Sequence, residues 1–431
     1  MAINAGMSWS HAFLIVCLVP LAHLAAAGER QIIPPALPDV FRGNNLAGHG
    51  RADPTEKIFN VLDFGAVADG KKDSAIYFIR TWIAACRGTH TGKSRVLIPE
   101  GTFKAGPVIF QGPCTCAKPI IVEIKGTVLG ANDLSLYEEP YWILFEKVDG
   151  VVITGRGTLD GQGSSVWKNV ESCRGSECAP LPPNLKFMGV TNGVIRGINS
   201  LNPKGVHIFI TNSQNIRVRR VHIEAPGTSP NTDGIHISNS NNVRIARTHI
   251  STGDDCVGMI QGSTNVAINK VFCGPGHGIS VGSLGKYDTE NDVRGIIVKN
   301  CTFANTDNGI RIKSWPGSQP SQATGMIFQD LIMENVRNPI IIDQEYGCSD
   351  KCNKEPSKVK ISNVHYINVK GTTSSDIAVD LICSSNSPCE NIVLRDIDLK
   401  YVGPNKNLRS TSVCKNAKIG YGGIQNPPAC R

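Results

Sequence analysis

The stretch VRIARTHI, from Val243 to Ile250, has the form apolar-x-apolar-x-x-apolar-x-apolar. The same form recurs as IRVRRVHI from Ile216, VAINKVFC from Val266, IIVKNCTF from Ile296, MIFQDLIM from Met326, VKISNVHY from Val359 and IVLRDIDL from Ile392. Successive starts lie 27, 23, 30, 30, 33 and 33 residues apart, and most copies follow a turn containing Asn, Ser or Gly. The copies are rich in β-branched residues, and no helical pattern separates them. One copy cannot bury its apolar positions alone, so neighbours must stack. A leucine-rich repeat would place Leu at fixed positions, and a propeller blade would need about forty residues. The expected fold is all-β, a right-handed single-stranded parallel β-helix.

At 431 residues the chain is within reach of one large β architecture. Before residue 190 the repeat is less regular, but PIIVEIKGTVLG (Pro119–Gly130) and GVVITGRGTLDGQG (Gly150–Gly163) read as earlier coils. DSAIYFIRTWIAAC (Asp73–Cys86) is the one good helix candidate: Asp73 can cap it, and Ile76, Ile79 and Ile83 fall at helical spacing. It is placed to cover the end of the solenoid core. The apolar run Ala12–Ala27 is short, is broken by Pro20 and ends in small residues, so it reads as a secretory signal cut after Ala27. It lacks the usual basic residue ahead of it. Residues 28–56 form a Pro/Gly-rich arm, and 57–431 form the β-helix domain. No other stretch could span a bilayer, so no membrane association is expected once the signal is removed.

Of 15 cysteines, Cys17 lies in the signal, leaving 14, an even number that suits an oxidising compartment. Close pairs are Cys173/Cys178, Cys256/Cys273, Cys348/Cys352, Cys383/Cys389 and Cys414/Cys430. Cys114 and Cys116 are too close together for a zinc knuckle. Asn300-Cys301-Thr302 is the one glycosylation sequon. The net charge of +8 suits a polyanionic partner or simply solubility. Nucleic acid is not expected, because the basic residues are scattered and no recognition motif is present.

A second element accompanies the coils. Asp233-Gly-Ile-His-Ile, Asp255-Cys-Val-Gly-Met, His277-Gly-Ile-Ser-Val and Asn308-Gly-Ile-Arg-Ile align without gaps, with first residues 22, 22 and 31 apart. With strands about 4.8 Å apart, Asp233, Asp255 and His277 would form one ladder. Alternation turns Ile310 and Ile312 inward, hence His236, Ser280, Arg311 and Lys313 outward. Asp233, Asp255 and His277 share the inward parity, and burying unpaired carboxylates is costly. They are therefore expected at a corner, out of phase with the strand, where Gly234 and Gly278 would tolerate a bend. Asp254 keeps the outward parity. Each residue alone could be an ordinary turn residue. Together, three carboxylates, an imidazole and two cations on one face should separate acid from base. A Ca²⁺ site is the other use of clustered carboxylates, but His277 and the two cations count against it.

The segments NTDGIH (Asn231–His236), GDDC (Gly253–Cys256), GHGISVGS (Gly276–Ser283) and RIK (Arg311–Lys313) resemble the four signatures of the polygalacturonase family of glycoside hydrolases. Tyr346, in IIDQEYGC, matches a fifth. The resemblance runs from FNVLDFGAVADG (Phe59–Gly70) to the C-terminal cysteines. It implies a β-helix that hydrolyses α-1,4-linked galacturonan in pectin with inversion, extracellularly, with no cofactor or metal. It makes Asp254 the general acid and sets Asp233 and Asp255 on the attacking water. His277 supports the acid and contacts substrate, Arg311 and Lys313 hold the sugar carboxylate, and Tyr346, Asn231 and His236 join the binding surface. An inverting pair needs its carboxyls about 6.5–9.5 Å apart. CGPGHGISVGSLG (Cys273–Gly285) and SSNSPCENIVL (Ser384–Leu394) look most like plant exo-acting enzymes of the pollen type, acting as monomers. An endo-acting enzyme, a rhamnogalacturonan hydrolase, a pectate lyase and a non-catalytic wall-binding β-helix are the alternatives.

Overall fold

The computed structural model describes residues 56–168, 181–348, 355–405 and 407–430. The signal run, the arm up to residue 55, Cys173, Cys178 and Cys352 lie outside these. The described chain winds as a right-handed parallel β-helix. An 11-stranded parallel sheet forms one side, and a 21-stranded sheet supplies two strand segments to most coils. In one representative coil, Ile235–Ser238 lies in the narrow sheet and Asn241–Ala246 and His249–Ser251 lie in the wide one.

The repeat follows from this geometry. Val243, Ile245 and Ile250 are fully buried. The doubled x in the motif is a corner whose second residue is left-handed, as at Arg220, Arg247, Lys270, Asn300 and Asp330. The corner flips side-chain parity, so both arms point their apolar residues inward. A second left-handed column opens the same strands, at Asn192, Asn215, Asn242 and Asn265 and then Gly295, Gly325, Asn363 and Asn391. There the amides stack: Asn215 donates to Asn192 at 3.1 Å, and Asn242 donates to Asn215 at 2.7 Å.

One repeat is framed differently from the sequence reading. Met326 pairs with Val364 and Val364 with Ile392, so the copy in this coil is VHYINVKG from Val364 and not VKISNVHY from Val359. Both frames place an asparagine at the corner, and Asn363 and Asn368 are both left-handed. The motif alone could not choose between them.

The helix forms as Ala75–Arg87, and Asp73 Oδ1 accepts from Ala75 N at 2.8 Å. Its buried face is Phe78, Trp82 and Ala85, whereas Ile76 and Ile83 are half-exposed. Both stripes have helical spacing. The aromatic one offers more area to bury and wins. Trp82 packs on Phe110 and Phe145 with ring centroids 5.0 and 5.7 Å away, and its indole N–H reaches Gln111 O.

Cys256–Cys273, Cys383–Cys389 and Cys414–Cys430 are disulfides, as their spacing suggested. Cys348 is also disulfide-bonded. Cys114 bonds Cys86, and the even count does not mean complete pairing, since Cys116 and Cys301 are buried free thiols. Asn300 is exposed within a strand and donates to Asn269 at 2.9 Å. Among the described residues no helix is long and apolar enough to cross a membrane.

Candidate active site

Ile235 pairs with Val257, Val257 with Ile279 and Ile279 with Ile310 in the narrow sheet. Asp233, Asp255, His277 and Asn308 therefore occupy one level of four successive coils, two residues ahead of these buried positions. The chain turns at this level. Gly278 is left-handed (φ +84°), and a Cβ there would lie 2.1 Å from Asn308 O. Gly234 meets a different demand: a Cβ would lie 2.6 Å from Cys256 O, so close coil stacking keeps it small.

The corner turns both in-phase carboxylates outward. Asp233 Oδ2 lies 3.0 Å from Nδ1 of the outward-facing His236. Asp255 accepts from Ser280 Oγ at 2.7 Å, Arg311 Nη2 at 2.8 Å and Lys313 Nζ at 3.0 Å. Its side chain is 4% exposed, so the two cations from the following coils are what make its charge tolerable there. Asp254 Oδ1 accepts from its neighbour's N–H and sits 3.1 Å from His277 Nδ1. The other ring nitrogen of His277 faces Asp307 at 3.6 Å.

Burial and the Asp254 charge raise the pKa of Asp233, more than its His236 bond lowers it. Burial also works against the Asp254 carboxylate, but the bond and charge of His277, with Lys313, outweigh it and hold Asp254 below the usual range. The bond to Asp254 raises His277 against its own burial. For His236, burial is outweighed by Asp233, and the net direction is again up. One carboxyl is thereby drawn toward protonation, while another is paired with an imidazolium.

All nine residues singled out from sequence line one cleft of about 450 Å³: Asp233, Asp254, Asp255, His277, Arg311, Lys313, Tyr346, Asn231 and His236. Tyr346 packs edge-on to Trp315 at 5.0 Å, with Lys313 Nζ 5.2 Å from its ring centre. Ser283, the last residue of the GHGISVGS signature, also lines the cleft, as do Gln261, Lys286, Tyr287 and Glu290, which were not read from the sequence. Glu290 accepts from the backbone N–H groups of Gly285, Lys286 and Tyr287 at 2.7, 2.8 and 3.1 Å, fixing that loop at the rim. The available signal was the extra length of this coil, 31 residues from His277 to Asn308. Asp254, Asp255 and His277 could offer ligand atoms within 4.8 Å of one another. Both Asp255 oxygens are already committed to cations, however, and that donor set does not suit a metal.

Three carboxylates, an imidazole and two cations in one cleft along a parallel β-helix have the chemistry for acid–base work on an acidic polymer. The pattern of glycosyl hydrolases family 28 matches residues 86–426. An exopolygalacturonase of Arabidopsis thaliana is 43% identical over 403 residues, covering 91% of this chain and 93% of its own. One of Platanus acerifolia is 44% identical over 371 residues, covering 86% and 97%. The chain belongs to glycosyl hydrolases family 28. A solved exopolygalacturonase of Thermotoga maritima shares the fold, with a TM-score of 0.68 at 21% identity over 86% of this chain and 92% of its own.

Proposed function

We propose that this family 28 hydrolase is a secreted, wall-acting polygalacturonase that cleaves α-1,4-galacturonosidic bonds with inversion and acts from a chain end. The observation that carries this reading is the ladder itself. Asp254 paired with His277, Asp233 with a raised pKa, and Asp255 held by Arg311 and Lys313 stand side by side in one cleft.

Asp254 is the general acid. Its proton resides in the Asp254–His277 hydrogen bond, which the raised imidazole pKa keeps loaded, and passes to the leaving oxygen. Asp233, with Asp255 beside it, orients and deprotonates the water on the opposite face of the sugar. A raised pKa makes Asp233 the stronger base. Arg311 and Lys313 balance Asp255 and present cationic N–H groups to a galacturonate carboxylate. Tyr346, Asn231 and His236 line the same surface, and Lys286 and Tyr287 border it from the rim.

Product analysis on polygalacturonate tests this. Monomer alone with inverted anomeric configuration is expected, and a ladder of oligomers would make the enzyme endo-acting. An ultraviolet-absorbing, chelator-sensitive product would mean a lyase. Activity confined to a rhamnogalacturonan backbone would overturn the substrate.

A further inference from the structure

The wide sheet demands a left-handed residue at two levels of each coil, and the chain fills the two levels differently. The opening level carries Asn or Gly, which accept this conformation readily. The second level carries Arg156, Gly197, Arg220, Arg247 and Lys270 in five successive coils before Asn300 and Asp330 resume the ordinary pattern. The register stacks the last three, Arg220, Arg247 and Lys270, since Arg219 pairs with Ala246 and Ala246 with Asn269, immediately before these corners.

Arg156, Arg220, Arg247 and Lys270 are all exposed, and none forms an ion pair among the described residues. On the adjoining strands Arg217 lies directly opposite Arg244. Like charges so placed repel. The neighbouring Arg219 guanidinium is held below its usual range by burial and then by the arginines around it. At Arg156, Arg220, Arg247 and Lys270, neither the left-handed backbone nor an ion pair among the described residues favours a cation. The ridge is about 19 Å long at one strand spacing per coil. None of these residues lines the cleft.

We propose that this ridge is a second binding surface for de-esterified galacturonan, holding a stretch of polymer that is not being cut. The proposal rests on the polygalacturonase reading of the cleft. Arg220, Arg247 and Lys270 stand one strand spacing apart, with Arg156 beyond the gap at Gly197, a row that suits a chain bearing one carboxylate per sugar. The shoulder beside the ridge is the ring stack of His222, His249 and Phe272, with centroids 5.3 and 4.5 Å apart. These rings cover one another's faces, which leaves little for nucleic-acid bases to stack on. Glu224 beside them is held by His222 Nε2 at 3.1 Å.

The test combines Arg220→Asn, Arg247→Asn and Lys270→Asn, which gives this level the residue used at the other one. In an Asp254→Asn background, with excess trigalacturonate occupying the cleft, the parent should still be retained on immobilised polygalacturonate in a salt-sensitive way. The triple variant should be retained about tenfold less. Fully methyl-esterified pectin should retain neither. In the active background kcat and KM on trigalacturonate should not change, and thermal stability should hold or rise. Equal retention of triple variant and parent, complete release by trigalacturonate, or ridge-dependent retention on dextran sulfate as strong as on polygalacturonate would overturn the proposal. Failure of the wild type to hydrolyse polygalacturonate would instead overturn the reading of the cleft.

Discussion

Asp254 and Asp255 are neighbours in sequence with opposite physical situations, and mutation should separate them. Asp254→Asn is nearly isosteric and leaves no buried charge unpaired. It should reduce turnover by at least ~10²-fold, the usual worth of a general acid, with an unfolding curve close to wild type. Lys313→Met strands half of the Asp255 pairing and should cost ~3–5 kcal/mol in chemical denaturation as well as activity. If Lys313→Met is as stable as wild type, the Asp255 cluster does not carry the weight assigned to it. The imidazole of His277 adds a pH signature. Its folded pKa is raised, so its proton, and the stability its pairing contributes, are fully present below about 6.5 and fade as pH rises through the folded value. The alkaline limb of the pH–rate profile should therefore lie above the ordinary imidazole range. His207 behaves oppositely. It is fully buried with Nδ1 2.9 Å from Ser200 Oγ, and burial holds its pKa down to about 3. The unfolded chain takes up that proton first, so stability falls as pH drops from about 6.5 toward 3, by at most ~1.4 kcal/mol per pH unit. Acid unfolding of His207→Gln should show a shallower slope.

At the scale of strands and loops, Gly258 leaves room for the site. A Cβ there would lie 3.1 Å from His236 Nδ1 and 3.2 Å from Asp233 Oδ2. Gly258→Ala should lower kcat while the fold survives, visible as lost turnover with an unchanged circular dichroism spectrum. What the sequence made legible follows the same scale. Asp233, Asp255 and His277 could be found because a fixed register converts equal position in successive coils into physical adjacency. Lys286, Tyr287 and Glu290 stand on a loop that belongs to no repeat, so periodicity could not place them. The Val359 frame was misread because two patterns satisfied the same spacing, and only packing chose between them; the helix itself was legible, but spacing alone could not say which of its two stripes would be buried.

Across the whole molecule, the end of the apolar core is the vulnerable place. Trp82 closes it on Phe110 and Phe145 and is 1% exposed. Trp82→Ala should cost ~3–5 kcal/mol. Because coils support only their neighbours, the loss should first appear as faster hydrogen exchange in the N-terminal coils. The Asp255 cluster sets a timetable at this same scale. Its cations stand 56 and 58 residues further along the chain. A nascent chain emerging N-terminus first presents the carboxylate well before either counter-ion. Until Arg311 and Lys313 arrive, docking that corner would desolvate a charge with no partner. Synthesis order thus lets this corner lock only after the coils before it have stacked, while the strands from Ser321 onward are still to follow.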